Sequence, residues 1–97
     1  MSIGTVGSMT VQANKAAQFE RMFAALTAIV RAKEPGNLVY QLVRVRSKPN
    51  AYKAIELYRD QAAVDLHVKA AYLHEALPRL NACLDGTPIV ERIETVD

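Results

Sequence analysis

Two neighbouring segments that are apolar on both sides constrain the fold of this chain most strongly. Residues 38–46 read LVYQLVRVR and residues 52–59 read YKAIELYR, with the turn-forming sequence Ser-Lys-Pro-Asn between them. Their β-branched and aromatic content predicts the two strands of a hairpin. Because apolar side chains point to both faces of this hairpin, we expect both faces of its sheet to be covered.

The segment before the hairpin predicts one strand and one long helix. Residues 3–11 alternate in the manner of a strand. Asn14 is suited to cap a helix that begins at Lys15, and Pro35 disfavours helical geometry at the residue before it, so the helix should end near Lys33. Its apolar positions recur at helical spacing and form one broad stripe, made of Phe19, Met22, Phe23, Leu26, Ile29 and Val30.

The segment after the hairpin predicts a second helical region and a last strand. Asp60 is suited to cap a helix whose apolar face includes His67. A further helical stretch starts at Tyr72, and Pro78 predicts a break or a new first turn because it has no backbone N–H. Residues 89–96 then alternate as a final strand.

The order strand, helix, strand, strand, helix, strand is that of the ferredoxin-like, or split βαβ, α+β fold. We expect a single domain over residues 1–97, with both helical regions on one face of a four-stranded antiparallel sheet. The other face would then be bare, although the hairpin is apolar on both sides. Such a patch marks an interface, and the simplest cover is a homodimer in which two sheets face each other.

Composition excludes several classes of protein. The 97 residues include 12 Lys and Arg and 10 Asp and Glu, a net charge of +2, which is too balanced for a dedicated nucleic-acid or membrane-surface binder. The only cysteine, Cys83, lies in a Leu-rich helical stretch, which favours a buried inert thiol, and no Cys/His cluster has the spacing of a metal site. Because no apolar run reaches the ~18 residues of a membrane span and no signal-peptide pattern is present, we expect a cytoplasmic protein.

One acid and one histidine are the candidate catalytic pair. Glu56 lies in the middle of an apolar strand, where burial is costly unless the carboxylate is paired. His67 lies on the helix face that should pack on the same sheet, so the two side chains can meet. A carboxylate orients a histidine and raises its basicity, which suits a general base. The alternative is a buried structural hydrogen bond that fixes the helix on the sheet.

Three tyrosines and an arginine are candidates for substrate binding. Tyr40, Tyr58 and Tyr72 could line the space beside the pair, where each offers an aromatic wall and one hydroxyl. Arg44 follows Tyr40 on the same strand face and could bind an anionic oxygen. Alternatively, the three tyrosines pack in the hydrophobic core and the side chain of Arg44 is solvated. His74, next to an acid in a polar stretch, is predicted to be a surface residue.

From residue 4 to residue 94 the chain resembles the antibiotic biosynthesis monooxygenase (ABM) domain family. The resemblance rests on EPGNLVYQLVR, on the pattern E-x-Y-x-D-x-x-A-x-x-x-H that ends at His67, and on YLHEALPRL. It implies a ferredoxin-like dimer. Family members include cofactor-independent monooxygenases of quinols or polyketide anthrones, and enzymes that isomerise or degrade small signalling sugars. The chain departs from the family pattern at Tyr58, where tryptophan is frequent, and at Tyr72, where histidine is frequent. The positions aligned with the functional residues of haem-degrading relatives, near Gly7, His67 and Leu77, do not match.

The resemblance and the residues together predict a cofactor-independent monooxygenase that uses O₂ on a quinol or hydroxylated aromatic substrate. In this hypothesis His67 is the base, Glu56 orients it, and the tyrosines and Arg44 are donors or walls. One alternative is an isomerase or degrading enzyme for a small phosphorylated carbonyl compound, which would need cations such as Arg44 or Lys53 in the pocket. Another is a ligand-binding dimer without catalytic activity.

Overall fold

The apolar stripe before the hairpin forms the longest helix of the protein. In the computed structural model, which describes residues 1–97, helix α1 spans Ala16–Lys33 and its buried residues are Phe19, Phe23, Leu26 and Val30. A 3₁₀ turn at Ala13–Lys15 precedes it, and no side chain caps it. The prediction that Asn14 caps the helix is therefore wrong: the chain enters α1 through the tighter turn, which contains Asn14.

Four strands form one antiparallel sheet in the order β2-β3-β1-β4. Their bounds are Ile3–Thr10 for β1, Asn37–Arg44 for β2, Ala51–Tyr58 for β3 and Ile89–Glu94 for β4. In this register Glu56 lies opposite Thr5 on one side and Tyr40 on the other. The ferredoxin-like fold predicted from the order of elements is thereby confirmed.

The second helical region consists of two helices, α2 at Gln61–Val68 and α3 at Ala71–Asn81. Asp60 caps α2 as predicted, because its carboxylate accepts a hydrogen bond of 2.9 Å from the backbone N–H of Ala63. The predicted break near Pro78 is wrong, since Pro78 lies inside α3. The helical region is interrupted instead at residues 69–70, between α2 and α3. Proline has no backbone N–H, so the carbonyl of His74, four residues earlier, has no donor from within the helix. Both residues are exposed, so water can bind this carbonyl instead.

Aromatic and aliphatic side chains of α1 and α3 pack on one face of the sheet. The Phe23 ring stacks on Tyr40 and the Phe19 ring lies against Tyr52, both at a centroid separation of 5.5 Å. Cys83 is free and buried, as predicted. The other face of the sheet carries half-buried apolar side chains, namely Val6, Val39, Val43, Ile55, Leu57 and Ile93. None of the helices has the length and hydropathy that a membrane crossing requires.

Candidate functional site

The end of α1 brings a buried carboxylate to the centre of the protein. Glu34 directly precedes Pro35, so its backbone leaves helical geometry (φ −120°, ψ 86°) while its N–H still donates to the carbonyl of Val30 at 2.9 Å. Residue 34 as a whole is 3 % exposed. A carboxylate that is buried so deeply needs hydrogen-bond donors around it.

The imidazole of His67 on α2 lies against this carboxylate and faces a second acid. Its Nδ1 atom lies 2.9 Å and 3.1 Å from the two carboxylate oxygens of Glu34. Its Nε2 atom lies 3.6 Å from Oε1 of Glu56 on β3. The imidazole is 5 % exposed, and the side chain of Glu56 is 23 % exposed. His67 therefore lies between two carboxylates, of which only Glu56 is reached by solvent.

Two tyrosines enclose the ring of His67. Tyr40 approaches it edge-on at a centroid distance of 5.4 Å, and Tyr58 lies at 5.3 Å. The hydroxyl of Tyr58 donates to Oε1 of Glu56 at 2.8 Å. The same carboxylate oxygen thus accepts a bond from Tyr58 and faces Nε2 of His67.

Burial and negative charge keep these tyrosines protonated. Burial, followed by the charges of Glu56 and Glu34, raises the pKa of Tyr40 far above its usual value. Burial, the charge of Glu56 and the hydrogen bond to it raise the pKa of Tyr58 in the same way. At neutral pH both phenols can donate a proton in a hydrogen bond but cannot act as bases.

Two adjoining cavities open beside His67 and Glu56. One, which we call the apolar cavity, has a volume of about 460 Å³ and lies between the sheet and helices α1 and α3. Tyr40 is part of its wall, and no Lys or Arg lines it. The second cavity, of about 530 Å³, is lined by Tyr58, Gln61 and Arg92. The two share four lining residues: Thr5, Glu56, His67 and Val68.

The other predicted site residues lie elsewhere. Tyr72 lines neither cavity, and its hydroxyl donates to Oε2 of Glu34 from between α1 and α3. Burial and this hydrogen bond raise the pKa of Tyr72 to about 12. Arg44 shares a strand face with Tyr40 but is four residues, or about 13 Å, further along. It is bound to Glu20 at 2.7 and 3.1 Å.

Two remaining polar residues are also not among the residues that line the cavities. Lys53 donates to Oγ of Ser8 at 2.7 Å and lines neither cavity. His74 is exposed, as predicted, and its Nε2 lies 2.9 Å from the carbonyl of Val68. No group of three or more His, Cys, Asp or Glu side chains is arranged to hold a metal ion.

The sequence interpretation missed Glu34. In the sequence Glu34 is only the residue before Pro35, where the first helix is expected to end. The available signal was an acid placed directly before a proline, at a position that must leave the helix. Its partner is 33 positions away in the sequence, so no spacing motif joins the two.

Comparison with known proteins assigns the family. The model of the family described as antibiotic biosynthesis monooxygenase matches residues 2–79. The chain belongs to this family. Residues 34–67, which carry the acids and His67, lie inside the matched range. No curated protein matches the chain.

Solved structures agree with this assignment. A proposed antibiotic biosynthesis monooxygenase from Caulobacter crescentus CB15 is 38 % identical, with a TM-score of 0.94 over 99 % of this chain and 91 % of the other. SnoaB from Streptomyces nogalater, described as a cofactor-independent oxygenase and solved as the mutant N63A, is 27 % identical (TM-score 0.84, 99 % and 94 % covered). A conserved protein from Methanosarcina mazei Go1 shares the fold at 22 % identity, with a TM-score of 0.91 over 99 % and 94 % of the two chains.

Proposed function

We propose that this protein is a cofactor-independent monooxygenase that acts on a quinol or hydroxylated aromatic substrate. The observation that carries the proposal is the apolar cavity, which has aromatic and aliphatic walls and is lined by one imidazole, that of His67, and one carboxylate, that of Glu56. A flat aromatic molecule can fill such a cavity while its hydroxyl reaches the imidazole and the carboxylate. The similarity to SnoaB supports the cofactor-independent class.

The chemistry needs little from the protein beyond a base and an apolar enclosure. Removal of a proton from a phenolic or quinol hydroxyl leaves an anion that is electron-rich enough to react with O₂ directly. One oxygen atom then enters the product and the other leaves as water, with the substrate supplying the electrons. Exclusion of bulk water by the apolar cavity strengthens the hydrogen bonds that steady the developing negative charge.

Within this proposal His67 is the base and Glu56 is its partner. The raised pKa values of Tyr40 and Tyr58 leave the imidazole and the carboxylate as the proton acceptors in the site. Tyr40 supplies a wall, and Tyr58 supplies a hydroxyl beside Glu56. Tyr72 and Arg44 lie outside both cavities, so we assign substrate contact to Tyr40 and Tyr58 alone.

A phosphorylated carbonyl substrate has less support. Neither Arg44 nor Lys53, the cations on which that alternative depended, lines a cavity beside His67. Arg92 is the one cation in the second cavity, and no cation lines the apolar cavity. A phosphate group would have to be desolvated among apolar side chains there, which is strongly unfavourable.

The proposal includes a homodimer in the cytoplasm. The half-buried apolar side chains on the open face of the sheet, such as Val43 and Leu57, would be covered fully if the sheets of two copies faced each other. This is the arrangement that the family resemblance implies. The apolar cavity lies on the opposite, helix-covered face of the sheet.

Oxygen consumption with a panel of quinols and anthrones tests the activity. We expect uptake that depends on substrate and protein and that survives dialysis against a chelator. His67→Ala should lower kcat by about 10²-fold or more, the usual size of a general-base effect, and Glu56→Gln should cost less because the base remains. His74→Ala is the matched control, since this histidine is exposed and lines neither cavity, and it should turn over like the wild type.

Melting temperatures measured on the same samples separate chemistry from folding. If His67 has only a structural role, His67→Ala will melt earlier while its folded fraction turns over normally. Unchanged kcat in folded His67→Ala protein removes His67 from the mechanism. No oxygen uptake with any substrate of the panel contradicts the proposed activity and favours a ligand-binding dimer or a different substrate class.

A further inference from the structure

The surroundings of Glu34 determine which ring nitrogen of His67 carries the proton. Glu34 is buried, and both its oxygens lie within hydrogen-bond distance of Nδ1. Its Oε2 also accepts the hydroxyl of Tyr72. A carboxylate only accepts hydrogen bonds, so with Glu34 in that form Nδ1 is the donor. The lone pair of the neutral ring then resides on Nε2.

The other side of the ring is arranged differently. Nε2 lies 3.6 Å from Oε1 of Glu56, beyond hydrogen-bond distance, and that oxygen already accepts the hydroxyl of Tyr58. His67 lines both cavities. Nε2 is therefore the ring atom without a hydrogen-bond partner, and a substrate hydroxyl in either cavity can approach it.

We propose that Glu34 is the positioning residue of this site, which holds His67 in the Nδ1–H form with Nε2 directed at the cavities, and that Tyr72 in turn fixes Glu34. When Nε2 takes a proton, the resulting imidazolium lies between the carboxylates of Glu34 and Glu56, and its charge is balanced without movement. The catalytic part of this inference rests on the proposed function. The tautomer does not, since it is a property of the free protein.

Nitrogen-15 NMR of histidine-labelled protein tests the tautomer directly. Spectra recorded while the pH is raised until the ring is neutral should give the Nδ1–H pattern for His67, with His74 in the same spectrum as a reference. In Glu34→Gln, the amide can turn its N–H₂ toward Nδ1 while its oxygen accepts from Tyr72. We therefore expect the Nε2–H form, donating to Glu56, to become populated.

Kinetics on the same samples test the role in catalysis. Glu34→Gln should lower kcat by roughly 10²- to 10⁴-fold, as expected when the orienting acid of a catalytic histidine is neutralised. Tyr72→Phe should retain the Nδ1–H form with a smaller loss of kcat. Glu75→Gln, which changes an exposed acid of α3, should alter neither quantity.

The NMR and kinetic results can refute this inference without refuting the proposed function, and the reverse also holds. A wild-type ring in the Nε2–H form overturns the inference even if the protein is active. So does a Glu34→Gln variant that keeps both the Nδ1–H form and the wild-type kcat, or one that changes tautomer without losing activity. If no substrate is turned over, the wild-type and Tyr72→Phe spectra still decide the tautomer, and they do so even if Glu34→Gln fails to fold.

Discussion

Replacement of Gly4 by alanine should damage the sheet beside the candidate site. A Cβ atom built at Gly4 would lie 1.8 Å from the backbone oxygen of Glu56 and 2.8 Å from its carbonyl carbon. Ordinary van der Waals contact starts at 3.4 Å. Backbone cannot move aside as a flexible side chain can, so β1 and β3 would have to separate at this point by about 1.6 Å.

This separation is enough to break the local hydrogen bonds between the strands. Loss of two ladder bonds costs about 1–3 kcal/mol, and the residual overpacking costs about 1–3 kcal/mol. We expect Gly4→Ala to lose about 2–6 kcal/mol, a large share of the ~5–15 kcal/mol that stabilises a typical domain. Urea unfolding at one fixed protein concentration should then show a midpoint lowered by about 1 M or more.

Gly7→Ala is the matched control on the same strand. A Cβ atom there would meet only Cε of Met9, at 3.5 Å, which is ordinary contact. Gly7→Ala should therefore be neutral, or more stable by about 0.4–1 kcal/mol because the unfolded chain loses freedom. Equal midpoints for Gly4→Ala and the wild type, with equal slopes, would refute the close approach of β1 to β3 at Glu56.

Two further predictions concern alkaline pH and assembly. Burial is the main cause that raises the pKa of all four tyrosines, and the pKa of Tyr72 rises to about 12. The unfolded chain releases these protons near pH 10 while the folded state keeps them, so stability should fall as the pH rises from about 10 to 12. Phenolate absorbance should appear together with the loss of circular dichroism, and a tyrosine that titrates near pH 10 in folded protein would contradict this. Leu57→Asp should convert the proposed dimer to monomers or insoluble protein in sedimentation, whereas a stable wild-type monomer at micromolar concentration would contradict the facing sheets.

The order of elements was predictable because each signal for it is local. Alternation within residues 3–11, helical spacing within α1 and the Asp60 cap each depend on a few neighbouring residues. The two errors, at Asn14 and Pro78, also have local causes. Asn14 favours a helix N-cap, but it lies inside the 3₁₀ turn that precedes α1. Pro78 disfavours the interior of a helix, but it lies on an exposed turn of α3 where the missing hydrogen bond is tolerated.

The candidate site was predictable only in part because it depends on distances between elements. Periodicity brings Glu56 and His67 to the same space, and their atoms lie 3.6 Å apart. Periodicity also puts Arg44 on the face of Tyr40, but it does not say how far along the strand a site extends. Tyr72 reaches the site only through Glu34, so its part could not be inferred before Glu34 was placed.

Pro35 connects the end of α1 to the chemistry of the site. If residue 34 stayed helical, its backbone would continue α1 and its side chain would leave the chain in a different direction. Because proline disfavours that geometry, the backbone of Glu34 opens (φ −120°, ψ 86°) and its carboxylate lies against Nδ1 of His67. Burial of the carboxylate is then tolerated because Tyr72 donates to it and because, in the proposed tautomer, Nδ1–H of His67 donates to it as well. The same turn thus ends the helix and places the acid. The position of Glu34 against His67 therefore depends on the turn after α1 and not only on the sheet.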